Sequence, residues 1–260
     1  SGASARSIPV KFVKCFSNQA PMSIFTRVKA NIPNSITCLN LLSGACACVF
    51  AFHYQEVFGP LSGYQWAFVL MAASAVFDFA DGAMARRLHV YSLLGKELDS
   101  LSDLISFGLA PALLMFNTVE YFHGGWTWWA FCSMVIVLFG ALRLARFNID
   151  DRQTTYFIGI PIPANAIFWI GFVAWNHANM YLGDMPTALI LIAFSSLMIC
   201  SRPMYSLKFV NFGWRENFTR YVIILATLLF VVTEGVSGLA WAMLFYVVVS
   251  LASKKRIVSE

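Results

Sequence analysis

The chain has 260 residues, of which 59% are hydrophobic, 16% aromatic and 12% charged, and its mean hydropathy is +0.68. Such a composition excludes a water-soluble surface for the chain as a whole and fits a lipid bilayer as solvent. The formal net charge of +5 raises the question of a nucleic-acid partner, but the basic residues flank apolar segments rather than forming a patch, so none is expected.

Uncharged stretches near the ~20 residues that cross a hydrocarbon core lie at 57–77, 104–119, 121–142, 153–183, 185–201 and 235–253. Within a bilayer every backbone polar group needs a partner in the chain, which forces helices. The predicted fold is all-α, a polytopic transmembrane helical bundle with helices at about 33–53, 65–88, 96–118, 126–147, 162–182, 186–206, 219–233 and 238–253. Ahead of them, residues 1–32 form an N-terminal cytoplasmic or interfacial segment. Ser1 is no native initiator and Met22 precedes a plausible start, so two readings of 1–21 stay open: an added remnant or a loosely held amphipathic leader.

Charge sets the expected orientation. The connections 54–64, 119–125, 176–185 and 234–237 contain no Lys or Arg, and each has one acid: Glu56, Glu120, Asp184 and Glu234. All 18 basic residues fall on the other side, which places both termini and the segments around 86–97, 143–152 and 202–220 in the cytoplasm. Reading 221–253 as one helix would put Lys254, Lys255 and Arg256 outside, so a tight hairpin is expected at Glu234-Gly-Val-Ser-Gly. Trp126, Trp128 and Trp129 belong to the outer aromatic belt. The six cysteines, at 15, 38, 46, 48, 132 and 200, show no CxxC pair and read as reduced thiols without a function.

Four carboxylates interrupt the apolar pattern where helices 2 and 3 meet the cytoplasm. Asp78 and Asp81 are spaced i, i+3, and Asp99 and Asp103 i, i+4, so each pair projects from one face of its helix. Antiparallel helices joined by a short turn bring both faces to one pocket, where like charges repel unless cations intervene. Oxygen-only ligands suit hard ions such as Mg²⁺ or Mn²⁺, and Mg²⁺ is usually completed by substrate phosphates. Gly82, Ala85 and Gly95 leave room against the helix backbones. Arg86 can take phosphate oxygens bidentately, and Ser92 can donate a further hydrogen bond.

The pattern Asp78-x₂-Asp81-Gly82-x₂-Ala85-Arg86-x₈-Gly95-x₃-Asp99-x₃-Asp103 resembles the signature of the CDP-alcohol phosphotransferases. The resemblance implies a six-helix catalytic core, here 33–206, followed by two further helices and a basic tail over 207–260. It also implies two divalent ions per site, a CDP-linked substrate bound from the cytoplasmic side, and a homodimer. Asp78, Asp81 and Asp99 would be metal ligands. Asp103 would be a further ligand and the general base, and Gly82, Ala85, Arg86 and Ser92 would contact the cytidine diphosphate.

Two more stretches resemble the phosphatidylserine-forming branch of that family: Pro33-Asn34-Ser-Ile-Thr37-Cys-Leu-Asn40 in helix 1, and Arg143-Leu-Ala-Arg146-Phe-Asn148 with Gly159-Ile-Pro161-Ile-Pro163-Ala164. They imply CDP-diacylglycerol as donor and L-serine as acceptor, giving phosphatidylserine and CMP. Asn34 and Thr37 are candidates for the CDP-lipid or for interhelical hydrogen bonds. Arg143, Arg146 and Asn148 are candidates for the acceptor, since a serine carboxylate calls for arginine; anchoring to lipid headgroups is the other reading of the two arginines. Glycerol 3-phosphate or an inositol phosphate is the alternative acceptor. A divalent-cation transporter is a remote alternative, because it calls for acids spread across the membrane depth rather than gathered at one face. The expected location is a prokaryotic plasma membrane.

Overall fold

In the computed structural model, residues 24–89, 92–149, 157–205 and 213–252 are described. The expectations for 1–21 and for Lys254 to Arg256 lie outside the described residues. Helix α1 (Ile24–Phe52) carries Pro33 near its start. A two-residue ladder, β1 (Val57–Phe58) with β2 (Leu61–Ser62), turns the chain into α2 (Gly63–Leu88). Ser62 caps α2, its N–H donating to Gln65 Oε1 at 2.9 Å, a bond that satisfies a backbone donor at the helix start.

Small polar residues hold α1 and α2 together. Ser43 Oγ donates to the Leu70 carbonyl at 2.8 Å, and Ser74 Oγ to the Asn40 carbonyl at 3.2 Å. Such bonds replace the hydrophobic drive that helix pairs lack in lipid. A short connection leads to α3 (Leu93–Asp103), which runs through a π-helical turn (Leu104–Leu109) into α4 (Ala110–His123). The local cause of that turn is Pro111: its ring lacks the N–H for an ordinary helical bond and crowds the preceding turn, and a widened turn absorbs both. Gly124, at φ +86°, ends α4.

A 3₁₀ segment (Trp128–Ser133) opens α5 (Met134–Ile149). After β3 (Phe157–Ile158), α6 (Ile162–Ala178) runs through the middle of the protein, with Ile162, Phe168, Trp169, Phe172 and Val173 all buried. α7 (Asp184–Ser196) follows, then β4 (Pro203–Met204), α8 (Trp214–Glu234), a 3₁₀ turn (Gly235–Ser237) and α9 (Gly238–Ala252). α8 and α9 fold back on each other, as the charge argument requires. Gly238 permits the bend, because a Cβ there would come within 2.1 Å of the Phe230 carbonyl.

The rods follow the expected helices with two clear exceptions: α1 begins at Ile24, nine residues before the expected start at 33, and the sixth helix is short. The helix expected over 186–206 ends at Ser196, and Leu197, Met198 and Ile199 continue as tight turns. The carbonyls of Leu197 and Arg202 accept from Ile160 and Gly159 of the chain entering α6, and β4 pairs antiparallel with β3. Gly159, at φ +74°, is essential to that docking, since a Cβ would lie 2.4 Å from the Met198 carbonyl. Among the described residues, five helical runs are long and apolar enough to cross a membrane: 31–52, 63–88, 93–123, 128–149 and 217–252, the last being the folded α8–α9 hairpin. α6, at 17 residues, and α7, at 13, are shorter.

Three of the acid-bearing connections meet at one end of the bundle. Tyr54 Oη lies 2.8 Å from His177 Nε2, Tyr64 stacks on His177 at 4.3 Å, and His123 Nδ1 lies 2.5 Å from Asp184 Oδ2. The four motif aspartates are at the other end.

Candidate active site

The antiparallel pairing of α1 with α2 and the packing of α3 across α1 bring the aspartate pairs together. One carboxylate oxygen each from Asp78, Asp99 and Asp103 lies within 4.8 Å of the others. Asp81 stands on the adjoining wall, 6% exposed, and Thr37 Oγ1 donates to its Oδ2 at 2.6 Å. Two serines on the buried side of α3 and the π-turn fix that helix against α1. Ser102 Oγ donates to the Thr37 carbonyl at 3.2 Å, and Ser106 Oγ lies 2.7 Å from Asn40 Oδ1. Gly44 permits this approach, as a Cβ would sit 2.7 Å from Ser106 Cα.

Beside the cluster opens a cavity of about 520 Å³. All seven positions expected to meet the CDP-lipid line it, namely Asn34, Thr37, Gly82, Ala85, Arg86, Ser92 and Gly95, together with Asp81 and Asp99. Ser92 is the N-cap of α3: its Oγ accepts from Gly95 N at 2.9 Å, which leaves the hydroxyl proton able to donate into the cavity. Gly82 leaves the α2 backbone approachable, with only Arg86 Nη1 near, 3.4 Å from where a Cβ would be. Gly95 differs from expectation. The space it leaves is filled by Asn34 Oδ1 and Ser92 Oγ, which a Cβ would meet at 2.8 and 2.9 Å, so its small size admits Asn34 rather than open volume.

Of the acceptor candidates, the structure brings one to the aspartates. Arg143 is 7% exposed, its Nε has no hydrogen-bond partner among the described residues, and its guanidinium is within electrostatic reach of Asp103. Arg146, rotated off that face, donates from Nη1 to the Ile199 carbonyl at 2.9 Å and is exposed. Asn148 ties α5 to α3 instead: its Nδ2 donates to Ser100 Oγ at 2.9 Å, and its carbonyl accepts from Lys96 Nζ at 3.1 Å. Pro33, Leu93 and Lys96 also line the cavity. Pro33 opens the helix 1 stretch already singled out in the sequence and Lys96 is a cation one residue past Gly95, whereas Leu93 had no sequence signal.

The cluster suits a hard divalent cation. Its donors are carboxylate oxygens only, none of the four aspartates is in an ion pair among the described residues, and Asp103 Oδ1 is buried without a hydrogen-bond partner. Buried like charges so arranged call for a cation.

A helical bundle of this kind, with carboxylates at the head of a cavity at one end, fits a membrane enzyme acting on a phosphate-bearing substrate. The family model described as CDP-alcohol phosphatidyltransferase matches residues 30–233, and the chain belongs to that family. It is 34% identical over 205 residues to the CDP-diacylglycerol–serine O-phosphatidyltransferase of Helicobacter pylori, covering 76% of this chain and 81% of that one. It is 35% identical over 160 residues to the protein of the same name in Methanocaldococcus jannaschii, covering 62% and 68%. With the archaetidylserine synthase of Methanothermobacter thermautotrophicus it shares 34% identity over 174 residues, covering 65% and 67%.

Proposed function

We propose that the chain transfers the phosphatidyl group of CDP-diacylglycerol to the hydroxyl of L-serine, giving phosphatidylserine and CMP. The observation that carries this reading is the convergence of Asp78, Asp99 and Asp103 beside a cavity lined by Asn34, Arg86 and Ser92, with Arg143 buried near Asp103. The relatives' names add support, since they share serine and differ in the lipid.

In this mechanism Arg86 and the Ser92 hydroxyl hold the diphosphate, and Gly82 and Ala85 let the nucleotide lie against α2. Arg143 takes the serine carboxylate and so turns the serine hydroxyl toward Asp103. Asp103 Oδ1 accepts the hydroxyl proton. The serine oxygen bonds to the β-phosphorus in line with the bridging oxygen, whose bond to that phosphorus breaks, and CMP leaves with the electron pair. Two divalent ions, Mg²⁺ or Mn²⁺, would be held by Asp78, Asp81, Asp99 and Asp103 and would supply charge neutralisation on the diphosphate.

The same proposal places the active site and both termini in the cytoplasm of a prokaryotic plasma membrane, on the strength of the basic residues, and takes 33–206 as the catalytic core of a homodimer. The test is CMP release by purified protein with CDP-diacylglycerol and Mn²⁺ or Mg²⁺, with and without L-serine. Serine-dependent release is expected, falling by at least about 10²-fold in Asp103→Asn. A preference for glycerol 3-phosphate would discard serine, and an unimpaired Asp103→Asn would discard the base.

A further inference from the structure

Among the described residues that line the cavity beside the aspartates, the cations are Arg86 from α2 and Lys96 from α3. Arg86 belongs to the aspartate motif and Lys96 does not. Lys96 is exposed, and its Nζ donates to the Asn148 carbonyl at 3.1 Å. That carbonyl lies in the last turn of α5, where carbonyls have no partner within the helix and the helix dipole favours a cation.

α3 seats this end of α5 along one stripe. Lys96 and Ser100 are spaced i, i+4, and Asp103 continues the same face one turn further on. Asn148 Nδ2 donates to Ser100 Oγ at 2.9 Å, and Ser100 Oγ donates to the Lys96 carbonyl at 3.2 Å. The side-chain amide and the carbonyl of Asn148 are thus both engaged with α3. Lys96 also stands one turn before Asp99, yet the two make no ion pair among the described residues. The Asn148 carbonyl instead holds the ammonium at the cavity, clear of the carboxylates that would ligate metal. An ammonium has more donors than the one this contact uses.

The charge balance of the site calls for such a group. Two divalent ions are balanced by the four carboxylates that would hold them, so the charge of a bound diphosphate falls to the cavity's own cations. One guanidinium does not neutralise both phosphates, and a flexible ammonium beside it supplies a further charge-assisted bond.

We propose that Lys96 is a phosphate-binding residue of the donor site: tethered to the Asn148 carbonyl, its ammonium donates its remaining hydrogens to the diphosphate of a CDP-linked lipid from the α3 side, as Arg86 does from the α2 side. Nucleotide binding is then linked to the seating of α5 on α3, because one side chain serves both. This rests on the reading of the cavity as the CDP-lipid site.

The experiment uses the full chain in detergent with Mn²⁺, titrates CDP by calorimetry, and compares wild type with Lys96→Met, Lys96→Arg and Ser100→Ala. Lys96→Met keeps an unbranched apolar stem and removes the charge. Its CDP Kd is expected to rise about five- to tenfold at low salt, and the deficit should shrink as salt is raised, since an exposed charge is screened. Lys96→Arg should retain most of the affinity. Ser100→Ala removes the other tie to Asn148 without touching a charge, and its CDP Kd should stay within about twofold of wild type. CDP binding by Lys96→Met as tight as by wild type at low salt would overturn the inference while leaving the cavity reading intact. Equal losses in Lys96→Met and Ser100→Ala would overturn it too, because the tie to α5 rather than the charge would then account for the effect. Absence of CDP binding by the wild type would overturn the cavity reading and this inference with it.

Discussion

Thr37 Oγ1 donates to Asp81 Oδ2 at 2.6 Å, joining residues 44 positions apart on neighbouring helices. The Pro33 carbonyl, 3.0 Å away, competes for the same hydroxyl proton. Thr37 thus fixes the carboxylate that stands on the cavity wall rather than in the tight cluster. Thr37→Val keeps the shape and removes the bond. It is expected to lower kcat/KM for CMP release by about tenfold or more, as for a hydrogen bond to a charged group. Thr37→Ser should retain most of the activity, and equal losses in both variants would mean that the methyl group, not the hydroxyl, matters.

The carboxylate cluster makes a prediction that needs no turnover. Mn²⁺ added to the metal-stripped protein should raise its melting temperature, because a ligand bound only by the folded state stabilises it. Asp78→Ala and Asp99→Ala should blunt that rise, while their melting temperatures without metal should equal or exceed the wild-type value, since each removes one of several repelling charges. A full Mn²⁺ response in Asp99→Ala would argue against ligation by that residue.

Two glycines separate ligand binding from folding. Gly95→Ala must displace the ends of two side chains, Asn34 and Ser92, so a raised KM for the CDP-lipid with little change in melting temperature is expected. Gly44→Ala meets the backbone of the π-turn at Ser106, and overpacking of that kind costs about 1–3 kcal/mol. Its melting temperature should fall clearly, and heat denaturation of the two variants side by side checks the contrast.

At the far end of the bundle, Asp184 bonds to His123 and accepts from Tyr181 at 2.9 Å. His123 is exposed, and an ion pair with one exposed partner contributes about 0–1 kcal/mol. Asp184→Asn is therefore expected to leave CMP release within about twofold of wild type. A large loss would show that the two ends are coupled.

The helical rods and the convergence of Asp78, Asp99 and Asp103, with Asp81 on the adjoining wall, were legible in the sequence because both follow from local spacing and apolar run length. The seven expected cavity positions were legible through the family resemblance, and they lie on two turns of α2, the start of α3 and the first half of α1. What local spacing did not carry was side-chain direction. Arg143 and Arg146 share a helix end, yet one is buried near Asp103 and the other bonds to a carbonyl after α7. Asn148 is taken up in joining α5 to α3. The early end of α7 depends on Gly159, nearly forty residues earlier in the chain. These features depend on contacts between distant segments, which periodicity does not encode.

The π-turn between Asp103 and Ala110 also acts on phase. An α-helix advances about 100° per residue, and one extra residue in a turn rotates everything beyond it by that amount relative to everything before. The lower half of this rod can therefore present its carboxylates toward α2 while the upper half presents Leu114, Met115 and Thr118 to the core. Deleting a single residue between 104 and 109 would remove the offset and force one half to give up its facing, so this short stretch should tolerate substitution far better than any change of length.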